Sequence, residues 1–140
     1  MKIELRRVDD AFNMEAVDPG GHTVLMDAGE SIGGKSRGVR PMQMLLMALG
    51  GCSAIDILLI LKKQKQEVSD FRISIEGERE PGKEPSLWQK VDLVFHFKGS
   101  VDKEKAQRAV DLSMKKYCSV SATLEKAGAE INYVIRVNED

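Results

Sequence analysis

The hydrophobic pattern begins with three short runs of β-branched and apolar residues, over residues 2–8, 12–17 and 22–26. Polar and turn-forming residues separate these runs, and the Asp-Pro-Gly-Gly sequence at 18–21 is a strong turn signal. The pattern therefore predicts a three-stranded β-meander. Residues 27–40 contain four glycines among scattered polar residues, which indicates a loop with little packing of its own.

A long helix is predicted from Pro41 to about Gln66. Proline suits the first turn of a helix because the N–H that it lacks would have no partner there. From Met44 to Leu61 the helix is apolar on almost every face, so it must be buried on all sides. A membrane span would place Asp56 in hydrocarbon at high cost, and one chain of this size can hardly surround so long a helix. The pattern favours a dimer in which this helix is central.

The next two strands are predicted from alternation of period two. Residues 71–78 and 91–98 both alternate apolar and polar positions, as half-buried strands do, and residues 80–86 form the turn between them. Asp102 is expected to cap a helix over residues 103–117. Its apolar stripe consists of Ala106, Ala109, Val110, Met114 and Tyr117.

A second short helix is predicted after Cys118, and residues 130–137 return to the strand pattern. The resulting order is ββ(β)–α–ββ–α–α–β, in which strands do not alternate singly with helices. That order indicates the α+β class. A chain of 140 residues is expected to form one domain, spanning residues 1–140.

Composition favours neither nucleic acid nor a membrane as a partner. The 21 basic and 22 acidic residues give a net charge of −1, which supplies no broad electrostatic attraction to nucleic acid or to an anionic membrane. Two cysteines are too few for a disulfide scaffold, and the N-terminal residues show no secretory signal, so a cytoplasmic setting is expected. The sequence contains no Cys-x-x-Cys pair, the spacing that would suggest a metal site. His22 and His96 are expected to be ordinary strand residues.

The candidate chemistry lies at the two cysteines. Cys52 follows Gly50 and Gly51 in the middle of the long helix, where each glycine costs about 1 kcal/mol relative to alanine. Close packing of a second helix explains such glycines, and so does a gap that leaves the Cys52 sulfur accessible. Cys118 precedes a predicted helix, and N–H groups at a helix start favour a thiolate. If the fold brings the two sulfurs together they form a redox dithiol; otherwise they are core residues.

Two segments carry a family resemblance. They are Arg40-Pro-Met-Gln-Met-Leu-Leu-Met-Ala-Leu-Gly-Gly-Cys-Ser-Ala-Ile-Asp56 and Lys116-Tyr-Cys-Ser-Val-Ser-Ala-Thr-Leu124. The chain resembles the OsmC/Ohr family of osmotically inducible and organic hydroperoxide resistance proteins, in particular the branch with Pro-Met-Glu-Leu-Leu-Leu and Gly-Gly-Cys motifs. The resemblance implies an OsmC-like intertwined homodimer, with antiparallel sheets wrapped around long central helices and the sites at the interface.

The resemblance also implies a peroxiredoxin-like thiol peroxidase that acts in the oxidative stress response. Cys52 would attack an organic hydroperoxide, and Cys118 would resolve the sulfenic acid as a disulfide, which limits over-oxidation. Recycling would need an external dithiol reductant of the thioredoxin-like or lipoyl type. No cofactor or metal is expected.

The start of the long helix departs from the family pattern at two positions. A glutamate stands near the helix start in the family and pairs with an arginine that activates the thiol, whereas Met42 and Gln43 occupy the aligned positions here. Arg37 and Arg40 are the nearest candidate arginines. Cys52 is therefore hypothesised to be a weaker peroxidatic thiol than in typical members. The alternative is an OsmC-fold protein without efficient peroxidase activity that binds a small apolar ligand at the dimer interface.

Overall fold

A computed structural model describes all 140 residues and confirms the α+β class. Three helices, six strands and two short helical turns make up the chain, and the residues divide into two compact units, 1–45 and 46–140. The major elements in chain order are β1 (Glu4–Arg7), β2 (Met14–Val17), β3 (Thr23–Met26), α1 (Pro41–Lys63), β4 (Glu67–Arg79), β5 (Trp88–Ser100), α2 (Lys103–Leu112), α3 (Ser119–Lys126) and β6 (Glu130–Val137).

The first unit contains the predicted meander, in which β1, β2 and β3 pair in antiparallel order. His22 lies just before β3 in the turn, where its N–H donates to Asp18 at 2.8 Å, so its assignment to a strand was wrong. The loop after β3 is better ordered than expected because the buried Asp27 carboxylate accepts N–H bonds from the loop backbone. Its donors are Ala28, Lys35 and Arg37.

The second unit is built on a sheet of order β4-β5-β6. β4 and β5 form a long antiparallel hairpin, whereas β6 pairs with β5 in parallel. The expectation of antiparallel sheets is therefore wrong for β6, because the chain between β5 and β6 is long enough to cross over with α2 and α3. The inner face of β5 supplies the centre of the core with Val91, Leu93, Phe95 and Phe97.

Helix α1 is buried along one stripe only, although its sequence is apolar on almost every face. The buried residues are Leu49, Ser53, Ile57 and Leu61, spaced three or four apart. The large apolar residues outside that stripe are exposed in the single chain, namely Leu45, Met47, Ile55, Leu58 and Leu59. The helix is also long and apolar enough to cross a membrane, with a mean hydropathy of 2.3, a test that core helices of soluble proteins pass as well.

The end of α1 differs from the prediction by a few residues. The helix stops at Lys63, and Lys65 adopts the left-handed conformation with φ of 57°. The N–H of Gln66 then donates to the carbonyl of Leu61 at 3.0 Å, closing the helix with a Schellman-type bond.

The helix after β5 begins as predicted and ends differently. The Asp102 side chain caps α2 by accepting the N–H of Lys105 at 2.9 Å. After Leu112 the chain continues as a π-helical turn, Ser113–Tyr117, in place of regular α-helix. This turn changes the angular spacing of side chains. Ala106, Ala109, Val110 and Met114 are buried as expected, but Tyr117 is half exposed, and its assignment to the stripe was wrong.

Candidate functional site

Cys52 lies midway along α1 and is half buried. The two glycines before it serve different purposes. A Cβ at position 50 would lie 3.0 Å from Cδ1 of Ile75, so Gly50 allows β4 to pack closely against the helix. A Cβ at position 51 would meet no atom within 4 Å. Gly51 therefore leaves open space beside Cys52 on the exposed side of the helix.

Cys118 is the N-cap residue of α3 and is buried, at 3% exposure. Two backbone contacts fix its position. Its N–H donates to the carbonyl of Ser113 at 2.8 Å, across the π-helical turn, and its sulfur accepts the N–H of Ser121 at 3.4 Å. The wide turn and the first turn of α3 thus hold the thiol inside the second unit.

The fold brings the two cysteines together. Both thiols are free, Cys52 packs against the buried cluster that contains Cys118, and it lies close enough to raise the pKa of the Cys118 thiol. One of the pair is half buried and the other fully buried. Of the two arrangements left open by the sequence, the fold has the one in which the two cysteines are neighbours.

The surroundings of Cys118 favour its protonated form. The pKa of the Cys118 thiol is raised to about 11, chiefly by burial; the N–H of Ser121 acts in the opposite direction, and the neighbouring Cys52 adds to the rise. Desolvation outweighs the favourable helix-terminus amide here. The expectation that the start of α3 would make Cys118 a thiolate was therefore wrong.

Hydrogen bonds of the Ser113 hydroxyl, called the tie below, connect the elements that carry the two cysteines. The Ser113 hydroxyl donates to Oδ2 of Asp56 at 3.1 Å and approaches the carbonyl of Ser53 at 3.4 Å. Asp56 on α1 thus bonds the π-helical turn that follows α2. Ser113 was missed by sequence reasoning, although a signal existed: it lies one turn after Val110, on an apolar stripe, where a buried hydroxyl must find a partner.

An apolar cavity of about 470 Å³ opens next to this tie. Asp56 is one of its walls, and it lies one turn after Cys52 on the same helix. The other lining residues are Leu59, Ile60, Lys63, Gln64, Leu112 and Tyr117. The cavity can take an apolar group of modest size, with one carboxylate at its edge.

The candidate supporting residues Arg37, Arg40 and Gln43 have local partners in the first unit. Oε1 of Gln43 accepts the backbone N–H of Arg40 at 3.0 Å, which caps the start of α1 as in a capping box. The Arg40 guanidinium donates to Oγ of Ser36 at 2.9 Å and to the carbonyl of Gly38 at 3.2 Å. The Arg37 side chain is exposed, and its backbone N–H donates to the Asp27 carboxylate at 3.0 Å. No group of three or more His, Cys, Asp or Glu side chains could hold a metal ion.

Comparison with protein families gives a match over most of the chain. Residues 33–134 match the family described as OsmC-like protein. A curated relative, protein YhfA of Escherichia coli K12, is 44% identical over 108 residues, which cover 76% of this chain and 77% of the relative.

Solved structures of similar fold cover nearly the whole chain. A hypothetical protein from Aquifex aeolicus VF5 has 29% identity and a TM-score of 0.80, over 99% of this chain and 97% of that one. An organic hydroperoxide resistance protein OsmC from Legionella pneumophila has 16% identity and a TM-score of 0.73, over 97% and 96% of the two chains. At that identity the second likeness concerns the fold alone.

Proposed function

The chain belongs to the OsmC-like protein family, and we propose that it is a thiol-dependent peroxidase that reduces organic hydroperoxides through Cys52 and Cys118. The observation that carries this proposal is the proximity of the half-buried Cys52 thiol on α1 to the buried Cys118 thiol at the start of α3. A peroxide can reach the first sulfur, and the second is in place to react with the oxidised product.

The first step is attack by the Cys52 thiolate on one oxygen of the hydroperoxide. The O–O bond breaks, Cys52 becomes a sulfenic acid, and the other oxygen leaves as an alkoxide that takes a proton to form the alcohol. The sulfur of Cys52 loses two electrons in this step, and the O–O bond gains them. Only the thiolate is an efficient nucleophile, so Cys52 must give up its proton before it attacks.

In the second step the Cys118 sulfur attacks the Cys52 sulfenic acid. An S–S bond forms, the S–O bond breaks, and the hydroxide that leaves takes the Cys118 proton to become water. The raised pKa of Cys118 suits this order, because a protonated thiol does not compete for peroxide. The net reaction converts the dithiol and the hydroperoxide into a disulfide, an alcohol and water.

The cavity beside Asp56 supports an organic substrate over hydrogen peroxide. Its lining is largely apolar, with Leu59, Ile60 and Leu112 among its walls. Burying the alkyl part of a substrate there contributes about 0.8 kcal/mol per methylene group, a gain that hydrogen peroxide cannot make. We expect turnover to favour hydroperoxides with apolar tails.

The proposal includes a homodimer formed through α1. Leu45, Met47, Ile55, Leu58 and Leu59 expose a long apolar face, and Ile55 is 71% exposed in the single chain. Apolar patches of this kind mark an interaction surface. We assign the face to a second copy of this chain, because the small residues Ala48 and Gly51 on it allow two identical helices to approach closely.

The disulfide must be reduced for a further turnover. We propose an external dithiol of the thioredoxin-like or lipoyl type, because the reduction requires two electrons and thiol exchange delivers both. The proposal includes a cytoplasmic location, because cytoplasmic reductants would return the oxidised pair to its two thiols.

The deciding experiment is intact-mass analysis of the denatured, alkylated protein after one equivalent of cumene hydroperoxide. Wild-type protein should lose both alkylatable thiols and about 2 Da, the two hydrogens removed by disulfide formation. In Cys118→Ser, oxidation of Cys52 should stop at the sulfenic acid or higher oxides. In Cys52→Ser, oxidation by the hydroperoxide should be slower than in the wild type. Two free thiols in the wild type after prolonged exposure would contradict the proposal.

A second candidate function is binding of a small apolar ligand without efficient peroxide reduction. The hydrogen bonds of Gln43 and Arg40 support it. Gln43 accepts the N–H of Arg40 but has no carboxylate, and the Arg40 guanidinium donates to Ser36, so the carboxylate–arginine pair that the resemblance implies is not formed. In that case an apolar fluorescent probe should bind wild type and Cys52→Ser with equal affinity. Both proteins should then show the same slow background oxidation by cumene hydroperoxide.

A further inference from the structure

Three cationic or titratable side chains lie directly abreast on the outer face of the second unit's sheet. Arg72 of β4 pairs in register with His96 of β5, and His96 pairs with Arg136 of β6. The inner-facing residues of β5 are buried, so these alternate residues face away from the core. Neighbouring strands are about 4.8 Å apart, which places the two arginine backbones roughly 10 Å apart with His96 between them.

Several other polar and charged side chains on this face have partners, and the two arginines do not. Lys90 pairs with Asp92 at 3.3 Å, Asn132 donates to Asp92 at 3.2 Å, and Lys98 lies 3.9 Å from Asp140. Arg72 and Arg136 make no ion pair or hydrogen bond in this structure. Two unpaired positive charges on the same face of a sheet repel each other, and a bound anion would offset that repulsion.

The charges that act on His96 come from three parts of the chain. Arg72 comes from β4, Arg136 from β6, and Glu139 from the segment after β6. Burial and the two arginines lower the pKa of His96, and Glu139 acts in the opposite direction with a smaller effect. The adjacent row on the same face is Ser74, Val94 and Val134, which carries no charge. On the other side of the row, Asp70 of β4 lies opposite Lys98 of β5, so one charge there offsets the other and the two arginines leave the row itself positive.

We propose that the row of Arg72, His96 and Arg136 is a binding site for a phosphate group. Arginine guanidinium groups bind phosphate oxygens in a bidentate manner, and two of them can converge on one tetrahedral anion above the imidazole. The His96 ring donates a further hydrogen bond to the bound oxygen. The ligand is a phosphate on a small molecule or on a lipid headgroup, and this assignment is independent of the proposed peroxidase activity.

The first test is an NMR titration of the two histidine rings in the intact protein, with inorganic phosphate replacing chloride at constant ionic strength. Phosphate should raise the pKa of His96 by about one unit, which corresponds to about tenfold tighter binding to the imidazolium form. The ring resonances of His22, which pairs with Asp18 in the first unit, should not change with the anion. Equal titration curves for His96 in phosphate and chloride would overturn the proposal.

Variants separate the site from general charge effects. Arg72→Gln and Arg136→Gln should each raise the His96 pKa without phosphate, because a repulsive charge is gone, and should abolish the response to phosphate. Arg108→Gln removes the same charge from the exposed surface of α2 and should retain the full response. An undiminished phosphate response in both row variants would overturn the assignment.

Vesicle sedimentation distinguishes the two sources of phosphate. Binding to phosphatidylglycerol vesicles in excess of phosphatidylcholine vesicles, lost in Arg72→Gln and Arg136→Gln, assigns the row to a lipid headgroup. A positive His96 titration without such binding assigns it to a soluble phosphate compound. Failure of both measurements rejects the site and leaves the peroxidase proposal untouched.

Discussion

The Ser113 hydroxyl donates a hydrogen bond of 3.1 Å to Asp56, and this bond joins the helix that carries Cys52 to the turn that precedes Cys118. The carbonyl of Ser113 also accepts the N–H of Cys118 at 2.8 Å. Ser113 therefore contacts the element of one cysteine through its side chain and the other cysteine through its backbone. Its loss should affect both the stability of the second unit and the formation of the disulfide.

Replacing Ser113 by alanine should lower the free energy of unfolding by about 1–2 kcal/mol, because Asp56 loses its hydrogen-bond donor. Urea denaturation of the reduced protein measures this change. Disulfide formation after peroxide oxidation should be slower, as followed by stopped-flow tryptophan fluorescence. Ser119→Ala, at an exposed position one residue after Cys118, is the matched control and should change neither quantity. Equal effects of the two variants would show that the tie has no role.

The raised pKa of Cys118 predicts a loss of stability in alkaline solution. The folded state holds the thiol proton more tightly than the unfolded chain, whose thiol has a pKa of about 9.0 against about 11 in the fold. The contribution is therefore complete below pH 9 and disappears as pH rises towards 11. Cys118→Ala should show a flatter stability profile over this interval in urea denaturation. Parallel profiles for the two proteins would contradict the assigned pKa.

Alkylation rates test the same pKa without unfolding. In Cys52→Ser, Cys118 is the remaining thiol, and its reaction with iodoacetamide in the native protein should stay slow at neutral pH and accelerate towards its raised pKa. Removal of Cys52 lowers that pKa somewhat, since the neighbouring cysteine raises it in the wild type. Rapid modification of native Cys118 at neutral pH would show that the thiol is not buried as described.

Gln43 offers a paired test of the helix start. Gln43→Ala removes the acceptor for the Arg40 N–H and should cost about 1 kcal/mol of stability. Gln43→Glu keeps the acceptor and adds a favourable charge at the positive end of α1, a gain of about 0.3–1 kcal/mol. If the missing acid explains a weak peroxidatic thiol, Gln43→Glu should also raise kcat/KM for cumene hydroperoxide. Unchanged kcat/KM, with stability rising as expected, would separate the cap from activation of the thiol.

Ile55→Glu should convert the proposed dimer into a monomer. A charge placed at this exposed apolar position would have to be buried between two copies of α1. Light scattering coupled to size exclusion measures the mass. Val134→Glu, at a comparably exposed valine on the outer face of the sheet, should leave the dimer intact. A monomeric wild type, or a dimer that tolerates Ile55→Glu, would exclude α1 as the interface.

Gly51→Ala tests how closely the partner approaches. In the single chain a Cβ at position 51 meets no atom within 4 Å, so helix propensity alone should stabilise the variant by about 1 kcal/mol. If a second copy packs at this point, the added methyl group should weaken the dimer. The concentration dependence of the melting temperature distinguishes the two results. Gly50→Ala is the contrast, because its Cβ would press on Ile75 within the same chain.

Features that depend on local chemistry could be predicted from the sequence. The aspartate at 102 caps α2 because its side chain reaches an N–H only three residues ahead. The strand assignments succeeded because alternation of period two follows directly from one buried face. The pairing of Asp56 with a neighbouring element could likewise be expected, because a carboxylate on an apolar helix needs a partner.

Features that depend on tertiary packing could not be predicted. The position of Tyr117 was missed because a π-helical turn replaces the regular helix at Ser113, and nothing in the apolar spacing marks the change. The protonation of Cys118 was missed because burial by distant segments outweighs the amide of Ser121. The row of Arg72, His96 and Arg136 is also invisible locally, because it requires the register of three strands.

The parallel pairing of β5 with β6 has a consequence for folding kinetics. Contacts between segments that are remote in sequence form slowly, and a parallel pair requires its whole crossover connection to be in place. Cys118 lies within that crossover, and Cys52 lies before the β4–β5 hairpin, which can form on its own. A chain folded only as far as that hairpin thus carries two independent thiols. The two thiols become neighbours only when the crossover that carries Cys118 has packed against α1.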